Sequence, residues 1–276
     1  IEDEVDYVEQ QENPDPDTAL DHLFSESDEL DKISSIEPEK TKDKIVMVDS
    51  INHALSEELE FNKKMIIYGE DVAGDKGGVF TATRGLTKEH GEDRVFNSPL
   101  AESSIIGTAI GLSVVGYKPV VEIQFGDYIW PAMMQIRNEV ATMRYRSGGN
   151  WSCPLVIRVP VGGYIHGSLY HSQSIDGYFA HTPGLKVAYP SNASDAKGLL
   201  KYACRCDDPV LFMEHKGIYR QGFASSMEPD ENYLLPFGKA RIVQEGSDLT
   251  IVTWGAIVQK AVEASRNTGK SVEIID

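Results

Sequence analysis

Residues 97–116 read NSPLAESSIIGTAIGLSVVG, and the predicted fold is organised around this stretch. Pro99 disfavours helical dihedral angles at the residue before it, whereas small and apolar residues recur at helical spacing from Ile105 onward. Glu102 is therefore expected at a loop-to-helix junction, at the mouth of a buried helix. Two explanations of this acid remain open: the helix dipole favours a carboxylate in the first turn, or the carboxylate has a chemical role.

This helix belongs to a series in which short apolar runs alternate with helical periodicity. Gly107 and Gly111 lie four residues apart on one face of it, which indicates close packing there. Further helices are predicted at residues 45–59, 129–146, from about 171, at 194–204 and at 256–266, and strands at 65–68, 119–125, 155–159, 185–189, 210–213, 249–253 and 272–275. Such alternation predicts an α/β fold, a doubly wound and mainly parallel sheet with helices on both faces, which binds ligands at the carboxyl ends of its strands.

Composition narrows the class of protein. With 276 residues and 41% hydrophobic side chains the chain can form a large core, and it has no membrane-length apolar run and no signal peptide, so we expect a soluble protein. Three cysteines do not form a disulfide framework and indicate a reducing compartment. The net charge is −17, and residues 1–40 carry 15 acidic against two basic side chains. Without a basic patch, nucleic-acid binding is not expected.

The charge distribution also suggests three segments. Residues 1–43 are predicted to be an acidic tail or linker, in which a short amphipathic piece at 19–24 could dock on the rest of the protein. Residues 44–240 hold the alternating pattern and form the main domain. Residues 241–276 add one strand–helix–strand unit, which cannot bury both faces of a sheet and therefore reads as the truncated start of a second α/β domain. We thus expect the chain to be a fragment.

Polar residues at predicted strand ends and in loops are candidates for chemistry. No Gly-x-Gly-x-x-Gly motif and no P-loop is present, so the chain has no phosphate cradle of its own. Phe125 and Tyr128 could stack on a flat ring or could be core residues at a strand-to-helix corner. Two histidines in a glycine-rich loop are hard to explain by packing: proton transfer is favoured over capping for His171, whereas a structural role in the loop stays open for His166. The candidate acids and histidines are Glu70, Asp71, Glu102, Asp127, His166 and His171.

Six motifs in order and at matching spacing support a resemblance that runs from about residue 44 to the end. They are residues 68–72 (YGEDV), 94–102 (RVFNSPLAE), 122–128 (EIQFGDY), 145–148 (YRSG), 167–174 (GSLYHSQS) and 181–187 (HTPGLKV). The chain resembles the thiamine-diphosphate-dependent 2-oxo acid dehydrogenases, specifically the β-subunit of the decarboxylating first component, and the branched-chain (2-oxoisovalerate) type most. Residues 1–25 resemble the carboxyl end of the α-subunit, which implies a fused α–β polypeptide.

The resemblance implies an activity and roles for particular residues. Glu102 corresponds to the glutamate that hydrogen-bonds the aminopyrimidine of thiamine diphosphate and promotes removal of the thiazolium proton. His171 corresponds to the histidine of substrate handling and acylation of a lipoyl group, and His166 lies in the same loop. The remaining cofactor-binding candidates are Leu100, Gln124, Phe125, Tyr128 and Glu70. The implied reaction is oxidative decarboxylation of branched-chain 2-oxo acids with acyl transfer to a lipoyl group.

The resemblance also implies partners. No Gly-Asp-Gly occurs here, so an α part, fused or separate, would bind the diphosphate and Mg²⁺, in a homodimer of fused chains or a heterotetramer that works with a lipoyl acyltransferase. A bacterial protein would be cytoplasmic, and a eukaryotic one would lie in the mitochondrial matrix. In the branched-chain type a monovalent cation such as K⁺, held largely by backbone carbonyls, corresponds to Cys153, Leu155, Val156, Ala203, Cys206 and Asp208.

Two alternatives stay open. The same chemistry could act on pyruvate or acetoin, and the departures at Ser103 and at residues 176–177 (DG) weaken the choice of substrate more than the reaction class. Alternatively, the chain could serve mainly as an assembly module that docks the α part and the acyltransferase core.

Overall fold

The computed structural model describes residues 1–26, Leu30 and residues 43–276. The α-helices are α1 (Glu2–Glu9), α2 (Met47–Phe61), α3 (Leu86–His90), α4 (Glu102–Val114), α5 (Met143–Arg146), α6 (Asp176–Phe179), α7 (Ala193–Arg205) and α8 (Ala256–Ser265). The strands are β1 (Lys44–Ile45), β2 (Met65–Gly69), β3 (Val95–Asn97), β4 (Lys118–Glu122), β5 (Val156–Val161), β6 (Lys186–Ala188), β7 (Val210–His215), β8 (Ser226–Met227), β9 (Ile242–Gln244), β10 (Leu249–Val252) and β11 (Val272–Ile275).

A six-stranded sheet in the order β3-β2-β4-β5-β7-β6 forms the centre of the fold. Every pairing in it is parallel. Every residue of β2, β4 and β5 is buried, as expected for strands that are covered on both faces. The predicted doubly wound parallel sheet is confirmed.

Helices cover the two faces of this sheet and enclose two hydrophobic cores. One core joins α2 and α7 to one side of the strands, with Ile51, Leu55 and Leu200 fully buried. The other joins α4 and the helical segment at 129–140 to the opposite side, with Ile106 and Ile136 fully buried. The carboxyl ends of the strands are left between these layers, where side chains from several strands can meet.

The last residues form a separate three-stranded sheet in the order β10-β11-β9, packed with α8. β10 and β11 are parallel, and β9 is antiparallel to β11. The predicted strand–helix–strand unit is therefore present, and the domain boundaries at 43/44 and 240/241 stay a prediction. In the described part of the chain, every helix is too short or too polar to cross a bilayer.

Two predicted helices are wrong. Residues 129–146 do not form one α-helix but a 3₁₀ turn (Trp130–Ala132), a π-helical segment (Gln135–Val140) and α5. Pro131 removes a backbone donor in the first turn, which accounts for the irregular start. No helix starts near residue 171, because Ser168 and His171 have φ of 62° and 75°, outside the right-handed helical region, and α6 begins only at Asp176.

Close packing at Gly107 and Gly111 is also wrong within this chain. Both glycines are exposed, and no described atom lies within 4 Å of the Cβ position that either would carry. At the N-terminus α1 buries no residue. The segment that follows reaches the main domain, where the Ser25 amide donates to Asp208 Oδ1 at 2.9 Å. Much of the predicted tail, residues 27–29 and 31–42, lies outside the described residues.

Candidate active site

The carboxyl ends of the central strands bring residues from distant parts of the sequence to one edge of the sheet. Glu70 follows β2, Gln124 and Phe125 follow β4, and Lys216 follows β7. Glu102 is the first residue of α4, as its loop-to-helix position predicts. Parallel strands place all their carboxyl ends on the same side, so these residues form one candidate site.

Glu70 and Glu102 form the most unusual electrostatic feature of this edge. Glu70 is 8% exposed, and neither of its carboxyl oxygens has a hydrogen-bond partner among the described residues. Burial first, and then the negative charges of Glu102 and Asp71, raise the pKa of Glu70 from 4.5 to about 7. No ordinary donor group reaches Glu70, and the Glu102 carboxyl is the neighbour with which it can share a hydrogen bond once one of the two is protonated. A carboxyl that titrates near neutral pH can both hold and release a proton.

Gln124 is oriented by the acid that follows Glu70. Its amide nitrogen donates to Asp71 Oδ2 at 2.9 Å, and the Lys76 ammonium lies 3.7 Å from the other oxygen of this carboxylate. Leu100, in the loop before α4, is 83% exposed. Among the described residues it closes no pocket, so its predicted contact with a pyrimidine requires a wall from outside this chain.

An aromatic cluster lies at the carboxyl end of β4. The ring of Phe125, 3% exposed, meets the His171 ring edge-on with centroids 4.5 Å apart, and the Tyr128 ring with centroids 5.7 Å apart. The Tyr128 hydroxyl and His171 Nε2 are 2.7 Å apart, within hydrogen-bond distance. The structure thus brings together three of the residues that the sequence predicted. His171 is one of the side chains that bury the Phe125 ring.

The glycine-rich loop that carries His171 has a strained backbone. Gly162, Ser168 and His171 all have positive φ, and for the two residues with a side chain this conformation is unfavourable. The loop is held at one point by Asp127, whose Oδ2 accepts a hydrogen bond from the Gln173 amide at 3.2 Å. Asp127 is therefore an anchor of this loop, whereas His166 is exposed and lies outside the aromatic cluster.

Sequence reasoning missed a buried charge network directly beneath this edge. Arg158 on β5 is fully buried and donates through Nε and Nη2 to both carboxylate oxygens of Glu214, at 2.7 and 2.8 Å. Its Nη1 donates to Glu122 Oε2 at 2.9 Å, and the Tyr219 hydroxyl donates to Glu214 Oε2 at 2.6 Å. The signal was available, because single charged residues interrupt the apolar runs of β5 and β7.

Lys216 is the second residue that the sequence analysis missed. It is 1% exposed, its ammonium donates to the Gly162 carbonyl, and Nζ lies 5.6 Å from the centre of the Phe125 ring. Burial lowers the pKa of Lys216 to about 8, against the charge of Asp127, which raises it. Lys216 also lines a cavity of about 220 Å³ together with Phe80, Tyr164 and Arg220, which adjoins the aromatic cluster.

A larger cavity than the one beside Lys216 lies elsewhere. It measures about 630 Å³ and is lined by residues of α7, β9 and α8. Arg241, which also lines it, forms ion pairs with Asp195 at 3.1 Å and with Asp276 at 3.0 Å. None of the candidate catalytic residues lines it. We therefore assign the site by its chemistry, at the strand ends, and not by the size of the cavity.

Comparison with known proteins decides the family. Residues 43–221 match the transketolase pyrimidine-binding domain, and residues 238–276 match the transketolase C-terminal domain. The 2-oxoisovalerate dehydrogenase subunit beta of Bacillus subtilis (strain 168) is 49% identical over 232 residues, which are 83% of this chain and 70% of that protein. This chain belongs to the β-subunit family of the 2-oxo acid dehydrogenases.

Relatives with another substrate in their name are nearly as similar. The pyruvate dehydrogenase E1 component subunit beta of Bacillus subtilis (strain 168) is 46% identical over 235 residues, 84% of this chain and 71% of that protein. A solved structure named split gene transketolase, inactive beta4 tetramer, superposes with a TM-score of 0.65 over 84% of this chain and 70% of its own, at 23% identity. The latter likeness shows the transketolase-like fold alone.

The β-subunit family implies thiamine diphosphate as cofactor, and the strand ends are suited to its pyrimidine end. That ring offers polar nitrogen atoms and a flat face. The chain offers unpartnered, buried carboxyl oxygens on Glu70, a neighbouring carboxyl on Glu102 and an aromatic ring on Phe125. These are the groups that a pyrimidine needs, so the residues match this part of the cofactor.

The monovalent-cation site stays a prediction, and several groups of its suggested residues already have partners within the chain. They lie at the opposite, amino-terminal edge of the sheet, where the Leu155 carbonyl accepts from the Val210 amide at 3.0 Å and the Cys206 carbonyl accepts from Lys118 Nζ at 2.8 Å. Burial raises the pKa of the Cys153 thiol to about 12, so it is not a thiolate ligand. Among the described residues no group of three or more His, Cys, Asp or Glu side chains is placed to hold a metal.

Proposed function

We propose that this chain is the β part of a thiamine-diphosphate-dependent dehydrogenase that oxidatively decarboxylates branched-chain 2-oxo acids and passes the acyl group to a lipoyl group. The observation that carries the proposal is the pair of neighbouring glutamates, Glu70 after β2 and Glu102 at the start of α4, of which Glu70 is buried with no donor group other than the Glu102 carboxyl in reach. Thiamine diphosphate, when bound, supplies the carbon nucleophile for the 2-oxo group. This chain's residues orient the pyrimidine end and handle protons.

Each residue has a definite task in this proposal. Glu102 holds a proton on a ring nitrogen of the pyrimidine, from a position where α4 begins and water is partly excluded. Glu70, with a pKa of about 7, limits the negative charge near Glu102 when it is protonated. Gln124 presents its amide in an orientation fixed by Asp71, and Phe125 supplies the apolar surface beside the ring.

His171 is the proposed acid–base group on the substrate side. Its Nε2 is engaged by the Tyr128 hydroxyl, and its backbone is held in a strained conformation. Its ring also contacts Phe125 edge-to-face, so the same aromatic cluster would link His171 to the pyrimidine side of the site. His166, exposed in the same loop, is proposed to contact the substrate.

The site requires other chains. The exposed Leu100 lacks a wall within the described residues, and the chain has no motif for a diphosphate. We propose that an α part, fused or separate, binds the diphosphate and Mg²⁺, in a homodimer of fused chains or a heterotetramer, and that a lipoyl acyltransferase accepts the product. Three free, buried cysteines support a reducing compartment, bacterial cytoplasm or mitochondrial matrix.

Replacing Glu102 tests the catalytic role. In the assembled enzyme, Glu102→Gln should lower the rate of decarboxylation by about 10²–10⁴-fold, the usual effect of losing a general acid–base partner. Glu92→Gln, a change at an exposed glutamate, should leave the rate unchanged. If Glu102→Gln retains activity within about threefold, the catalytic role is wrong and a role in assembly is favoured.

The choice of substrate needs its own measurement. The branched-chain relative is 49% identical and the pyruvate relative 46%, so the proposal depends on kcat/KM for 3-methyl-2-oxobutanoate and for pyruvate in the assembled enzyme. We expect the branched substrate to be preferred. A clear preference for pyruvate would overturn the substrate while leaving the reaction class intact.

A further inference from the structure

Lys118 places a positive charge inside the amino-terminal edge of the sheet, far from the candidate active site. It is the first residue of β4 and is 6% exposed. A lysine is seldom buried unless its ammonium is paired or hydrogen-bonded. Here Nζ donates to the carbonyl oxygen of Cys206 at 2.8 Å, in a bond that is itself buried.

The charge of the same ammonium also acts on the chain's three thiols. Burial raises the pKa of Cys153, Cys204 and Cys206, and in each case the charge of Lys118 opposes that rise. The charge of Lys118 is therefore felt by all three thiols, and its ammonium is bonded to the Cys206 carbonyl. This is the cluster in which the resemblance placed a monovalent cation.

Other groups suggested as cation ligands have polar or charged neighbours, although Asp208 Oδ2 has no hydrogen-bond partner among the described residues. The Cys206 sulfur lies 3.5 Å from the Ala203 carbonyl oxygen and 3.4 Å from that of Asp208, and its single proton can be donated to one of them at a time. The Asp208 carboxylate forms ion pairs with Lys186 at 3.0 Å and Arg144 at 3.3 Å. A metal ion would have to displace these donors and share a confined space with three positive groups.

We propose that the Lys118 ammonium serves as a built-in monovalent cation, so that this chain binds no K⁺ at the junction of β4, β5 and the loop after α7. A primary ammonium carries the same charge as K⁺ and, like K⁺, binds carbonyl oxygens. Because the Lys118 ammonium is covalently attached to β4, no translational entropy of a free ion is lost when it binds the carbonyl. The fold at this edge is then independent of the salt in solution.

Ion binding and stability of two variants test this inference independently of catalysis. The full-length protein and its Lys118→Ala variant are compared by equilibrium dialysis with Rb⁺ and by thermal unfolding in KCl and in choline chloride of equal ionic strength. Removing the ammonium opens space beside the Cys206 carbonyl. We expect the variant to bind one Rb⁺ more per chain than the parent and to have a Tm that is lower by about 5 °C in choline, with part of this loss restored by K⁺.

The control is Lys64→Ala, which removes an exposed ammonium from the turn before β2 and should change neither Rb⁺ binding nor Tm. If Lys118→Ala does not fold in either salt, Lys118→Gln keeps a donor for Cys206 without the charge, and the same two measurements apply. Equal Rb⁺ binding by parent and variant, or the same loss of Tm in both salts, would overturn the inference.

Discussion

Arg158→Met removes the cation at the centre of the charge network beneath the candidate site. Arg158 is fully buried and is the donor to both Glu122 and Glu214. Methionine has a similar length and no charge, so the variant keeps most of the volume but leaves two buried carboxylates without their partner. The outcome therefore reports the electrostatic role of the network with little contribution from packing.

The magnitude follows from burial. Breaking a buried ion pair by removing one partner destabilises a protein by about 3–5 kcal/mol, and here one arginine serves two carboxylates, so we expect at least the upper part of that range. The matched control is Arg146→Met. Arg146 forms an exposed ion pair with Glu139 at 2.5 Å, and such pairs contribute about 0–1 kcal/mol.

Urea unfolding of the full-length protein gives the free energy of unfolding for parent and variants. The difference in free energy of unfolding between the parent and Arg158→Met should become smaller as the pH falls. Burial already raises the pKa of Glu122, and the variant loses the Arg158 charge that lowers it, so the folded state binds this proton more tightly than the unfolded state and stability rises as the pH falls through that raised pKa. A loss below 1 kcal/mol, or one equal to that of Arg146→Met, would refute the reasoning.

Two further outcomes can be checked. The pKa of Glu70 is raised from 4.5 to about 7, so the parent should lose stability as the pH rises from about 4.5 through 7. In urea unfolding across that pH range, Glu70→Gln should reduce the dependence of the free energy of unfolding on pH. An unchanged pH dependence would contradict the raised pKa. Gly162→Ala should lower the free energy of unfolding by about 1–3 kcal/mol, because φ is +77° and the new Cβ would lie 2.1 Å from His215 Nε2. The control Gly163→Ala, whose Cβ would have no atom within 4 Å, should be near neutral. Equal effects of the two substitutions on Tm would show that the loop relaxes freely.

Periodicity predicted most of the fold because strands buried on both faces must be continuously apolar. Five of the six strands of the central sheet were predicted. The exception is β3, whose three residues are too few to show a pattern. The failures occurred where local geometry overrides periodicity. Pro131 and a π-helical segment interrupt residues 129–146, and left-handed backbone at His171 prevents a helix there.

The glycines of α4 show a different limit. Their spacing indicates a close neighbour, but within this chain that face is exposed. A pattern of small residues reports only that something can approach closely, and it does not say which element does so.

The sequence alone determined the fold class, the placement of Glu102 at the start of α4 and the family that its motifs resemble, because these depend on local order and spacing. Only the tertiary structure decided what each charge experiences. Burial and nearby acids shift the pKa of Glu70, Arg158 and Lys216 turn out to be internal, and the Lys118 ammonium donates to the carbonyl of Cys206, one of the residues suggested for a metal ion. A pKa or an ion pair depends on the dielectric environment and on distances between residues far apart in the chain, which exist only after folding.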